Sequence, residues 1–485
     1  MFDTSFGLSI GSFLSNIFVA LVPWVLFMRL CFGTKRKGMM LYLLSRFIGV
    51  GIIANRMFDL QFVRFGIGLT EYWILLWVLV ASLGIKIVIT KISLSEYLTT
   101  LKVSFPFSQI KKSFLSLNTI EKIWTILISL FGILFMLNSL VFTINFPTYA
   151  DDSFNNRNKP IVNILHDGWV KLFGSTWEIL ARSRLGYPLH IPIYKVVISQ
   201  FNGGYNDVYN NLFQYFTLLF GFIFIMIITR EKTRNIFLTV LPVWLICALP
   251  LVFLHSVEGY MELPSAIYSV LVIRLLYQFL VNKDVDYLIL GFFFAWLLMY
   301  IKNDGFVVYM WGIAISLFII LLLQKNISYV LKSVFTSMKH RLLISLSLLL
   351  CFLPFLWVKM YHWLWFNQAA GETSGVTLSI HREIFDIIPW LFTTMDNYGL
   401  VLIMLWFMLF MLVRLYQQKK YNQTFLCMSW LCIGLLFLAV FLFTENYAFV
   451  MNQTTVNRVF TTTFLILFSF LSLMYYESSP ENKKI

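Results

Sequence analysis

The sequence predicts an all-α polytopic membrane protein with about thirteen transmembrane helices. Three observations carry that expectation. Only 12% of the 485 residues are charged and 59% are hydrophobic, whereas a soluble chain carries about twice that share of charge. Apolar runs of about twenty residues recur from end to end, the length a helix needs to cross the hydrocarbon core. Between those runs the basic residues fall in short clusters, as the positive-inside bias produces.

Taken in order, Ile10 to Phe32 is the first crossing, and Lys35, Arg36 and Lys37 mark its cytoplasmic end. Met39 to Ile53 is shorter and carries Arg46, and Asn55 to Gly68 then lies outside. Leu69 to Ile89 returns. The polar stretch after it holds Lys91, Lys102, Lys111, Lys112 and Lys122 against Glu96 and Glu121, and reads as a cytoplasmic loop. Trp124 to Phe146 crosses outward. The later crossings alternate: Leu212–Ile228 in, Ile236–Leu254 out, Ser265–Leu280 in, Tyr287–Ile301 out, Phe306–Leu323 in, Leu342–Trp357 out, Leu400–Leu415 in, Phe425–Phe443 out and Val459–Met474 in. Residues 1–123 form an N-terminal set of membrane helices with the cytoplasmic loop. Residues 124–476 form a membrane core with large outer loops at 147–211 and 359–398, and 477–485 are a cytoplasmic tail.

The first outer loop organises this scheme. It places Asp151 and Asp152 directly beyond an outward crossing. Ile161, Leu165, Trp169, Leu172 and Phe173 follow at helical spacing, with Trp177 and Leu180 extending the stripe, as in helices that lie on a membrane surface. The second outer loop, with Trp363, Trp365, Gly371 and Gly375, has the composition of a lid.

Several function classes are disfavoured. The net charge of +14 is spread over cytoplasmic turns and forms no nucleic-acid footprint. Cys31, Cys247, Cys351, Cys427 and Cys432 all lie in apolar segments, so a disulfide framework is not expected. No basic patch precedes the first apolar run, which reads as a retained helix rather than a cleaved leader. A transporter or flippase would place ionisable groups in mid-membrane or in matching broken helices, and only Arg46 and Arg274 come close. The polar loops instead collect on the outer face, which suits an enzyme working there on a lipid-linked substrate.

An acidic pair in an outward loop followed by interfacial helices resembles the GT-C glycosyltransferases, membrane enzymes that take a sugar from a polyprenyl-phosphate carrier. GYMELPSAIY (Gly259 to Tyr268) is similar to a short outer loop of that superfamily, IKNDGF (Ile301 to Phe306) to its Leu-Lys-x-Glu/Asp-Gly turn, and TTVNRVFTTTF to a late Asn-Arg helix start. The resemblance runs from Trp124 to the C-terminus. The first three helices are an addition to the usual pattern, in which the acidic loop follows the first helix.

The resemblance implies that an acceptor hydroxyl attacks the anomeric carbon while phosphate leaves, with Asp151 or Asp152 as base and the other binding a metal or holding the loop. A polyprenyl-phosphate sugar donor, a glycan or lipid acceptor and the lipid bilayer of a plasma membrane are the implied partners. The sequence fixes no cofactor, and the resemblance allows a divalent metal with Asp152 as a ligand. Each residue also has a plainer reading. Asp152-Ser153 suits a helix cap. Glu258 and Glu262 bracket Gly259-Tyr260, and Glu262 suits the first turn of a helix. Asn303-Asp304-Gly305 is turn chemistry, but a turn needs no Lys302, which suits a phosphate as a point charge. Arg458 suits bidentate phosphate contact or snorkelling at the interface. His255, like His166, is more often structural at a helix end, and His362 and His381 lack metal-ligand spacing. A polymerase or ligase of lipid-linked polysaccharide is the alternative enzyme.

Overall fold

The computed structural model describes residues 10–32, 39–50, 69–90, 107–146, 161–162, 190–201, 204–302, 304–353, 356, 383, 399–444 and 456–478. Among them the regular elements are all helical, with no strand. Five described helices are long and apolar enough to cross a membrane, at 119–145, 210–233, 262–282, 305–323 and 421–443. A sixth span would require counting one broken pair as a crossing. The protein is thus a multi-pass helical membrane protein, and these residues account for five or six of the expected crossings.

The chain divides into two compact units. The first comprises Met1–Leu241, Phe253–Met261 and Leu348–Val358, and the second Pro242–Val252, Glu262–Ser347 and Lys359–Ile485. The first unit holds α1 (Ile10–Phe32), α2 (Met39–Val50), α3 (Leu69–Thr90), α4 (Phe107–Leu115), α5 (Thr119–Asn145), α6 (His190–Phe201) and α7 (Asp207–Thr233). Helix α5 begins before the expected Trp124. Asn118 accepts from the Glu121 backbone at 2.8 Å while Glu121 Oε2 accepts from the Asn118 backbone at 3.2 Å, a reciprocal cap that starts the helix there. Helix α4 lies within the stretch read as a cytoplasmic loop. Its Ser113 hydroxyl donates to Arg234 O at 2.9 Å and accepts from the Ile236 N–H at 3.0 Å, which ties it to the turn after α7. Leu212, Tyr215 and Phe216 of α7 pack with Met136 and Leu140 of α5. Arg46 is buried beneath this layer, 5.4 Å from the Phe216 ring and 4.7 Å from that of Phe220, so cation–π attraction offsets part of its desolvation.

The stretch from Ile236 to Leu254, expected as one crossing, is not one continuous helix but a bent pair, a broken span or a re-entrant loop. It is α8 (Ile236–Cys247) and α9 (Pro250–Val257), bent by 78°. Pro250 has no N–H to continue the ladder and disfavours helical geometry at the residue before it, so the break falls at Ala248–Leu249.

The second unit holds α10 (Glu262–Asn282), α11 (Val285–Ile301), a π-helical turn (Gly305–Met310), α12 (Trp311–Leu323), α13 (Ile327–Thr336), α14 (Met338–Ser347), α15 (Gly399–Gln417), α16 (Tyr421–Phe443) and α17 (Val456–Ser478). Helix α10 is its centre, buried at nearly every residue from Glu262 to Leu280. Trp430 of α16 donates to Thr463 O of α17 at 3.0 Å. Gly312 lets α12 meet α16 closely, since a Cβ there would stand 3.0 Å from Ile433 N.

Among the described residues, four non-glycine residues have positive φ, and all are basic: Arg234 (50°), Lys283 (57°), Lys325 (54°) and Lys419 (56°). Each follows the last turn of a helix. The Lys325 and Asn326 N–H groups donate to Leu322 O and Leu321 O, both at 3.0 Å, and Lys419 and Lys420 repeat the pattern on Tyr416 O and Leu415 O at 2.9 Å. Glycine usually takes this capping position, and a side chain there costs about 1 kcal/mol. A cation recovers part of that from the helix dipole. Lys325→Val is therefore expected to lower stability by about 1–2 kcal/mol. Lys325→Gly should stay within about 1 kcal/mol of wild type. Thermal unfolding of the purified protein in detergent checks both.

Three of these turns are joined in the second unit. Lys283 Nζ donates to Gln324 Oε1 at 3.1 Å, and Gln324 Nε2 donates to Asn422 Oδ1 at 2.7 Å. They mark one end of that unit. Helix α10 leads from there to Glu262 over 21 residues, about 30 Å at the usual rise, which matches a bilayer core.

Candidate functional site

At the Glu262 end of the second unit, four of the residues singled out in the sequence meet. Glu262 opens α10, Lys302 ends α11, Asp304 precedes the π-helical turn, and Arg458 lies in the first turn of α17. Lys302 Nζ donates to Glu262 Oε1 at 3.1 Å and lies 2.8 Å from Asp304 Oδ2. Arg458 Nε lies 3.9 Å from the same Glu262 oxygen. The Glu262 and Lys302 side chains are 6% and 14% exposed, and those of Arg458 and Asp304 are 21% and 32% exposed. The interior pair is thus Glu262–Lys302, with Asp304 and Arg458 at its accessible edge.

The local structure explains this placement. Ile301 is buried and Lys302 leaves the helix with extended backbone, φ −154° and ψ 154°, so its stem turns back toward α10. The Gly305 N–H donates to Lys302 O at 2.9 Å and closes the turn. The chain re-enters helical geometry as a π turn, a form that often marks functional sites. Glu262 sits where the helix dipole favours a carboxylate, so its plainer reading also holds. Its ion pairs go beyond what a helix start requires.

Sequence reasoning missed two neighbours. Buried Tyr309 of the π turn feels the charges of Asp304, Lys302 and Glu262 and lies beside Thr462. Thr462 in turn donates to Arg458 O at 2.8 Å. Tyr309 is four residues beyond Gly305, within the π-helical turn. Nothing in the sequence announces such a turn.

His255, Glu258 and Tyr260 belong to the first unit. The His255 and Tyr260 rings are 5.1 Å apart, and His255 and Glu258 are buried. Gln214 Nε2 donates to Tyr260 O at 2.9 Å, fixing that loop to α7. A buried polar group sits on the facing ends of α6 and α7. Lys195 donates to Asn211 Oδ1 at 3.4 Å, and Ser199 to Asn210 Oδ1 at 3.2 Å. At the start of α7, Tyr205 donates to Asp207 Oδ1 at 2.7 Å. Burial, then the Asp207 charge, raise its pKa and keep it a donor.

Asp151 and Asp152 lie outside the described residues, as do all but Ile161 and Val162 of the expected interfacial helices and nearly all of the second outer loop. Among the described residues no three His, Cys, Asp or Glu side chains gather as a metal-ligand group. Chemically the second-unit cluster is two cations held by two carboxylates at a helix-end surface. An anion reaching Lys302 and Arg458 would compete with Glu262 and Asp304 for them. Comparison of the chain with protein-family models, with curated proteins and with solved structures gives no match.

Proposed function

We propose that this chain is a membrane glycosyltransferase that moves a sugar from a polyprenyl-phosphate donor to an extracytoplasmic glycan, lipid or cell-wall acceptor. The observation that supports it most is the convergence of Lys302, Arg458, Glu262 and Asp304 at one helix-end surface, from three separate stretches of sequence. Positive-inside alternation puts that surface outside, opposite the turns capped by Lys283, Lys325 and Lys419. Lys302 and Arg458 take the donor phosphate, one as a point charge and the other as a planar fork. Glu262 and Asp304 hold the lysine in place between turnovers. Neutralising the leaving phosphate lowers the barrier to its departure. Asp151 or Asp152, on the same outward side by the sequence reading, accepts the proton of the attacking hydroxyl.

Purified protein, given a panel of polyprenyl-phosphate sugars, is expected to release carrier from at least one. Asp151→Asn or Asp152→Asn should cut that release by about a hundredfold or more at unchanged folding. A wild type that binds no donor and releases no carrier would sink the reading. A transport function is the second reading, favoured by the 78° break between α8 and α9 and by the buried Arg46 and Arg274. Uptake or flipping by the same preparation in vesicles, with no carrier release, would select it.

A further inference from the structure

We propose that α13 and the start of α14 form an in-plane foot that binds anionic phospholipid headgroups at the end of the second unit opposite the Glu262 cluster. Helix α13 has 10 residues, about 15 Å, half of what a crossing needs. It nevertheless exposes large apolar side chains. Leu331 and Phe335, one turn apart, are 53% and 64% exposed, and Met338 and Leu342, one turn apart on α14, are 79% and 66% exposed. Its other side is anchored: Val334 is buried, and the Tyr329 hydroxyl donates to Lys283 O at 3.0 Å. Lys339 donates to both oxygens of buried Asp286, at 2.9 and 3.1 Å, and pins α14 to the start of α11. The apolar stripe therefore faces away from the unit, at the level of the turns that carry Lys283 and Gln324.

Charge selects the occupant. From Gln324 to Leu349 there is no Asp or Glu, while Lys325, Lys332, Lys339 and Arg341 fall within it. Lys339 is held by Asp286. Lys325, Lys332 and Arg341 are exposed. Lys332 and Arg341 each stand one residue from an exposed leucine, so a cation flanks the apolar face on each helix. An apolar face bordered by cations is the pattern of a helix lying at the headgroup boundary of an anionic leaflet. This inference does not depend on what the Glu262 cluster does.

The test uses full-length protein in nanodiscs made from mixtures of phosphatidylglycerol and phosphatidylcholine. The lipid retained on the purified protein is read by native mass spectrometry, and a nitroxide at Phe335→Cys reports depth. Wild type is expected to retain phosphatidylglycerol preferentially. Lys332→Gln with Arg341→Gln should weaken that preference by about fivefold per cation, roughly 25-fold together. The nitroxide should be relaxed by oxygen and shielded from an aqueous relaxer. Equal lipid preference in wild type and variant overturns the proposal. So does a water-exposed nitroxide, and so does one shielded from both relaxers, which would place a protein partner on this face.

Discussion

Lys302→Met is expected to lower stability by about 2–3 kcal/mol and to cut sugar transfer by about a hundredfold to a thousandfold. The substitution keeps an unbranched side chain one atom shorter and removes its charge. Lys302 lies 3.1 Å from Glu262 Oε1, and that carboxylate is only 6% exposed. Breaking a buried pair from one side costs about 3–5 kcal/mol, because the remaining charge is desolvated without its partner. The partial exposure of Lys302, and Arg458 at 3.9 Å from the same oxygen, place the expected value below that range. The kinetic part has a separate cause. If Lys302 neutralises the departing phosphate, its loss removes a contact that strengthens as charge develops, worth about 10²–10³ in rate.

The two effects separate in the double variant. Lys302→Met with Glu262→Gln leaves no unpaired carboxylate at the centre of the pair, so most of the lost stability should return. Transfer should not return, because the phosphate still lacks its cation. Stability is read by thermal unfolding in detergent and transfer by carrier release. Recovery of both together would mean that Lys302 only holds the fold.

The sequence carries this site because the chemistry is written at helix ends. Apolar runs of spanning length locate those ends, basic clusters orient them, and the residues that break the expected charge bias stand out. Lys302 and Arg458 are cations at helix ends that the sequence reads as outward, where cations are scarce, and the structure places both within 4 Å of Glu262. What fails is whatever depends on backbone detail inside an apolar run. Ile236 to Leu254 reads as one apolar run by hydropathy, which gives no sign of the 78° bend before Pro250. Tyr309 looks like an ordinary buried aromatic in the sequence, and only the folded π turn shows Asp304 and Thr462 beside it. Lys195 and Asn211 are ten or more residues apart on two helices, and only packing unites them. Helix α13 escapes because its ten residues are too few for a spanning signal and its lysine reads as a loop charge.

Gly305→Ala tests the backbone on which the cluster rests, and a loss of about 3 kcal/mol is expected. A Cβ at Gly305 would stand 2.1 Å from Leu298 O and 2.9 Å from Leu298 C. Both are backbone atoms of α11, so no side-chain rotation can relieve the clash. The turn must move by about 1 Å to reach an ordinary contact distance. The Gly305 N–H holds Lys302 O at 2.9 Å, so that movement carries Lys302 away from Glu262. A shift of about 1 Å in a positioning group can cost about a hundredfold in turnover. The matched control is Gly434→Ala in α16, where a Cβ meets nothing within 4 Å. There helix propensity favours alanine by about 1 kcal/mol, so stability should hold or rise. Thermal unfolding and carrier release on both variants decide the matter. If Gly305→Ala unfolds with wild type and keeps its turnover, the close approach of this turn to α11 is not what positions Lys302.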